Sequence, residues 1–127
     1  MMVALIASLP VVGGCDALQN LTGRDCTTIA VPGISVMVVD SVTHASLFQG
    51  TTVRATEGTF TDSVTMTGDP GTDNPLAIPI AYEHAGTFRV TVTHPGYVAW
   101  IVTNVRVNKD GCHVQTAQLT AQLLRVP

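Results

Sequence analysis

From Gly33 onward the chain alternates between apolar and polar positions with a period of two, the pattern of half-buried strands. In residues 34–40, Ile34, Val36 and Val38 face one way. In residues 51–58, Val53 and Ala55 alternate with Thr52, Arg54 and Thr56. In residues 59–66, Phe60, Val64 and Met66 share a face that Asp62 interrupts. In residues 75–84, Leu76, Ile78, Ile80 and Tyr82 share a face, and Pro79 directs this strand to a sheet edge because proline has no N–H for a second neighbour. Phe88, Val90 and Val92 then alternate with Arg89, Thr91 and Thr93. After Pro95-Gly96, residues 97–108 carry Trp100, Val102, Val105 and Val107. The phase changes between Val102 and Val105, which predicts a bulge near Thr103-Asn104. Lys109-Asp110-Gly111 predicts a hairpin turn, and a last strand runs from Cys112 to about Leu123. No segment longer than a turn carries a helical period. About seven short strands with regular turn signals predict an all-β protein, a β-sandwich.

Composition narrows the choice of partner more than that of fold. The chain has 127 residues, enough for one core, and 12% charged residues, too few for disorder. Thr, Val and Ala are abundant, which favours strands over surface helices. The net charge is -3, and the basic residues Arg24, Arg54, Arg89, Arg106, Lys109 and Arg125 are scattered in sequence. That distribution gives no basic cluster of the kind nucleic acid requires, so no nucleic-acid partner is expected.

The first residues, MMVALIASLPVVGGC, raise a separate question. The uncharged stretch 3–14 is too short to span a membrane, which takes about 20 apolar residues. Its length suits the apolar region of a secretory signal. Val12-Gly13-Gly14-Cys15 resembles the lipobox of bacterial lipoproteins, an aliphatic residue and two small ones before a lipidated cysteine. The resemblance implies a cleavable signal segment at 1–14, a lipidated Cys15 with a polar tether at 15–25, and a folded domain at 26–127. No Lys or Arg precedes Arg24, a departure from the basic start of signals. The competing reading makes the segment an N-terminal core strand with Cys15 buried. More than one acyl chain on Cys15 would give stable anchoring, whereas a single chain binds only marginally. Asp16 resembles the inner-membrane retention signal of enteric lipoproteins.

Lipidation of Cys15 would leave Cys26 and Cys112, with one possible pairing. Disulfides persist in the compartments that exported proteins occupy, so Cys26–Cys112 is the expected bridge. The alternative, a metal pair, lacks a CxxC and suitably spaced histidines.

Further residues add up to a family resemblance. Gly33, Val36, Val38 and Asp40, followed by a turn with His44, and then Gly86, Phe88, Val90, Val92, Pro95, Gly96 and Tyr97, resemble the carboxypeptidase regulatory-like domain. The match covers about two-thirds of the segment after Cys15 and is loose over residues 50–85. It implies a small Greek-key β-sandwich of the transthyretin-like kind, without catalysis or cofactor of its own, acting as an envelope accessory module beside a protein partner. Tyr97 and Trp100 are expected to cover one end of the core, their polar tips reaching a partner.

The sequence assigns no catalytic or metal motif. His44, His84, His94 and His113 stand in no HxxE or HExxH spacing. The purine-pathway hydrolase on a related fold ends Tyr-Arg-Gly-Ser, whereas this chain ends Leu-Leu-Arg-Val-Pro. Asp62, Asp69 and Asp73 surround the Gly- and Pro-rich loop 67–75, an oxygen-rich group, but their spacing is not that of an EF-hand. Glu83-His84 reads as a solvated turn. The expected function is therefore a non-catalytic, membrane-tethered envelope module that docks a protein. A carbohydrate- or peptide-binding module and a small hydrolase are the alternatives.

Overall fold

A computed structural model describes residues 26–68 and 76–127. Residues 1–25, where a signal segment, a lipidated Cys15 and a tether are expected, and Asp69 and Asp73 lie outside the described residues. All regular structure among the described residues is strand: β1 (Pro32–Asp40), β2 (Thr52–Glu57), β3 (Phe60–Thr65), β4 (Ala77–Tyr82), β5 (Gly86–Thr93), β6 (Trp100–Lys109), β7 (Val114–Gln115) and β8 (Ala117–Leu123). They form two sheets, a three-stranded one in the order β4-β1-β8 and a five-stranded one in the order β3-β2-β5-β6-β7. This is the expected all-β sandwich. Its core is built by the alternation read from the sequence: Ile34, Val36 and Val38 of β1 face Val53, Phe88 and Val90 of the larger sheet, all nearly inaccessible to solvent.

The last strand departs from expectation. In place of one strand from Cys112, the chain makes two short ones in different sheets. β7 pairs antiparallel with β6, and β8 pairs parallel with β1 from Ile34↔Ala117 to Asp40↔Leu123. Thr116, at the crossing, donates its hydroxyl to the Pro32 carbonyl at 2.7 Å. That bond satisfies a backbone acceptor where the chain changes sheets. The predicted Lys109-Asp110-Gly111 turn is also longer. Residues 110–113 connect the paired Lys109 and Val114, and Asp110 Oδ1 accepts the N–H groups of Cys112 and His113, both at 2.8 Å.

The bulge falls where the phase change placed it. Phe88 pairs with Val105 and Val90 with Val102, so Thr103 and Asn104 together oppose Arg89. Asn104 takes φ 60°, a conformation that asparagine tolerates better than most residues. Pro79 does lie on an edge strand, β4. Tyr82 does not join the buried face of that strand. Ala81 adopts φ 58° and turns inward in its place, leaving Tyr82 exposed. Asp62 explains how Ala81 is held: its Oδ2 accepts the Ala81 N–H at 2.9 Å. The acid that breaks the apolar face of β3 is thus the acceptor for a kinked backbone on the opposing sheet. Gly33 is required at the same place, because a Cβ there would sit 2.6 Å from the Ala81 carbonyl oxygen.

Cys26 and Cys112 are joined by a disulfide across a sequence separation of 86. The bond ties the segment before β1 to the β6–β7 turn. Replacing both cysteines by serine is expected to destabilise the protein by about 2–5 kcal/mol while leaving the sheets intact. Denaturant unfolding of the oxidised protein and the double variant checks this; equal midpoints would contradict the role assigned to the bridge.

Candidate functional site

The two ends of the sandwich concentrate the polar chemistry of the described residues. At one end β1 finishes in Asp40, which is only 4% exposed. Its Oδ1 accepts the N–H groups of Val42 (2.8 Å) and Thr43 (2.9 Å), the turn an aspartate makes when it follows a strand. His44, in the position where the resembled family prefers glycine, takes φ 60°, and its N–H returns to the Asp40 carbonyl at 2.9 Å. Oδ2 accepts the Tyr97 hydroxyl at 2.6 Å and lies 3.7 Å from Arg125 Nη2. Arg125 also donates to the Tyr97 oxygen at 3.3 Å. Tyr97 is delivered by the Pro95-Gly96 turn, in which Gly96 has φ 82° and the Tyr97 N–H bonds the His94 carbonyl. The Tyr97 hydroxyl, then the two amides, then the Arg125 charge hold the Asp40 carboxyl far below the ordinary carboxylate range, against the opposing effect of burial.

This frame places apolar groups outside it. Tyr97 and Arg125 form a bridge, and the Val98 N–H bonds the Leu124 carbonyl while the Val126 N–H bonds the Gly96 carbonyl. By strand alternation Val98, Leu124 and Val126 therefore share the face opposite Tyr97 and Arg125. Their exposures are 50%, 62% and 51%, and Trp100 lines a small recess beside Val98 and Leu124. Val42 stands out on the other side, 80% exposed, over a recess of about 250 Å³ shared with Asp40, Thr43 and Arg125. The sequence flagged Asp40, Tyr97 and Trp100 but not Arg125, which lies 28 residues from Tyr97 and in no motif.

The opposite end corrects the view of Glu83-His84 as a solvated turn. Glu83 has φ 53° and clamps the chain before β1: its N–H bonds the Val31 carbonyl at 2.9 Å, and its Oε1 accepts the Val31 N–H at 2.8 Å. The same Oε1 meets His113 Nδ1 at 2.6 Å, and His113 Nε2 meets the Thr27 hydroxyl at 2.9 Å. The Val31 amide first, and His113 second, lower the Glu83 carboxyl below its ordinary range. His84 stacks on Phe60 with ring centroids 3.7 Å apart and bonds Glu57 at 3.0 Å. Neither residue of the pair is free in solvent, because each links separate elements.

Hydroxyl, imidazole and carboxylate in series at Thr27, His113 and Glu83 have the connectivity of an activated nucleophile. Glu83 Oε1, however, is shared with the Val31 backbone, and Thr27 is exposed on the segment before β1. Among the described residues no group of three His, Cys, Asp or Glu side chains is placed to hold a metal ion. Asp62, the described member of the acidic group, is engaged with Ala81.

Comparison with models of known protein families finds no match, and comparison with curated proteins finds none either.

Two outcomes follow from this geometry. Tyr97→Phe should destabilise the protein by about 1.5–3 kcal/mol, the range for a hydrogen bond to a charged group, measured by denaturant unfolding. A change within error would remove Tyr97 from the frame. The second outcome concerns acid. Asp40, Glu83 and Asp110 all have lowered carboxyl pKa values, so each favours the folded state fully above its ordinary, unfolded-state value and progressively less as pH falls toward the folded value. Stability should hold from pH 7 to about 5 and decline below about pH 4, and Asp40→Asn should flatten that decline. Stability that rises on acidification would contradict the assignment.

Proposed function

We propose that the protein is a non-catalytic accessory module of the cell envelope, tethered to a membrane through Cys15 and docking a protein partner with the Val98, Leu124 and Val126 face. The observation that carries this reading is the contrast at the Asp40 end. Its polar groups bond one another, whereas its aliphatic groups point outward. A carboxylate whose oxygens are taken by two amides and a phenol is poorly placed to serve as a base, while exposed apolar side chains on a rigid frame suit docking. The resemblance of Val12-Gly13-Gly14-Cys15 to a lipobox, the disulfide, and the resemblance to carboxypeptidase regulatory-like domains support an exported, accessory role. The Thr27–His113–Glu83 series favours a second reading, a small hydrolase.

The intact mass of the protein from a bacterial membrane fraction tests the tether. The expected species begins at Cys15, carries lipid, and has Cys26 and Cys112 oxidised; an unmodified chain beginning at Met1 would overturn it. A photo-crosslinker at Leu124 tests the docking face in intact envelopes. A discrete protein adduct, lost on Val98→Asp and absent with the crosslinker at Ser63, is expected. Equal labelling at both positions would reject the face. Hydrolysis of an activated ester that disappears on His113→Ala would move the reading to the hydrolase.

A further inference from the structure

The outer face of the five-stranded sheet carries a feature that neither end explains. Arg54 lies on β2, Arg89 on β5 and Arg106 on β6, and all three are exposed. Register fixes their relation. Arg54 pairs with Thr91, Thr56 with Arg89, and Thr87 with Arg106. Each step from one arginine to the next therefore moves one strand across and two residues along, in the same diagonal direction. Diagonal neighbours on a regular sheet face stand about 7–8 Å apart, so the three arginines rise from one oblique line, whose second step crosses the bulge opposite Arg89. Arg54, Thr56, Arg89 and Thr91 line a shallow recess of about 310 Å³ on it.

Among the described residues the line has no counter-charge. None of the three arginines forms an ion pair with a described residue. The five described carboxylates are engaged elsewhere: Asp40 with Tyr97, Glu57 with His84, Asp62 with Ala81, Glu83 with Val31, and Asp110 with the amides of its own turn. Three like charges in a row on a chain of net charge -3 repel one another unless an anion lies along them. The rest of the face is hydroxylic, with Thr61, Ser63 and Thr65 on β3 and Thr87 and Thr93 on β5 exposed.

We propose that this face binds a linear anionic polysaccharide, gripped through its carboxylates by Arg54, Arg89 and Arg106. A diagonal row of cations across three strands matches a polymer with repeating charge. Flanking threonine hydroxyls can donate to and accept from sugar hydroxyls. Neutral glycans are usually held on aromatic platforms, and this face has no exposed aromatic residue among those described; charge takes that place. A bilayer fits less well, because Ile101 is the one large apolar residue exposed on the face. The site goes beyond the docking face proposed above and stands whether or not Cys15 is lipidated.

Calorimetric titration of the full chain with polygalacturonate at low salt tests the proposal, with neutral dextran and phosphatidylglycerol vesicles as competing probes. Binding to polygalacturonate that weakens as salt is raised is expected. Replacing Arg54, Arg89 and Arg106 together by Gln should weaken it by about tenfold or more, three exposed charge contacts of a few-fold each. The triple Arg→Lys variant should retain most of the affinity, and Lys109→Gln, off the line, should change little. Matching circular-dichroism melts would show that each variant is folded. Undiminished binding by a folded triple Gln variant would overturn the proposal. Binding to dextran as tight as to polygalacturonate, or to the vesicles alone, would overturn it too.

Discussion

Strand β1 is the constraint on which the rest of the molecule depends. It is the central strand of the smaller sheet, antiparallel to β4 on one side and parallel to β8 on the other. A parallel neighbour cannot come from a hairpin, so β8 reaches β1 only through a crossover, made here after the chain leaves β7 of the larger sheet. The return then needs a crossing at Thr116 and firm ends, because a thin aliphatic core with Phe88 as its largest fully buried side chain leaves little margin. Both ends of β1 are accordingly fixed. Glu83 clamps Val31 just ahead of it, beside the Cys26–Cys112 bridge, and Asp40 terminates it under Tyr97.

That arrangement explains which parts were legible in the sequence. Alternation marked β1, β2, β3 and β5 because each has one face on the core and one in water, the condition under which a period of two is written into a strand. The bulge at Thr103-Asn104 was legible because Val102 and Val105 must both face inward. The kink at Ala81 was not. Leu76, Ile78, Ile80 and Tyr82 keep a perfect period, and what breaks it is a backbone N–H captured by Asp62 from another sheet. Likewise, the division of the last strand depends on Thr116 meeting Pro32, 84 residues away. Local pattern carries no information about such partners.

The candidate sites divide along the same lines. Asp40, Tyr97 and Trp100 stood out because turn and aromatic residues have local meaning, whereas Arg125 gained its role only from the fold. Glu83-His84 was misread for a physical reason. An acid next to a histidine between two strands looks like a solvated turn unless something reaches it from afar, and here Val31, His113 and Glu57 do. The arginines show the converse. Scattered in sequence, they argued against any basic cluster, yet register across three strands sets them in one line.

A common cause lies behind these placements. A small sandwich has many backbone groups at its rims that no ladder satisfies, and carboxylates are strong acceptors for N–H groups there. Asp40, Asp62, Glu83 and Asp110 each take at least one backbone N–H. The fold thereby draws the described acidic side chains to its ends and its seam. Arginine has no acceptor capacity and five donors, so it cannot serve the unpaired N–H groups; Arg125 joins the Asp40 end as a donor, and Arg54, Arg89 and Arg106 lie on the open face of the sheet. Segregation of charge, and with it a cationic face on an acidic protein, follows from how the rims are satisfied. Among the described residues the sheet face is left open to an anion from outside, because the described acidic side chains are already committed to holding the fold.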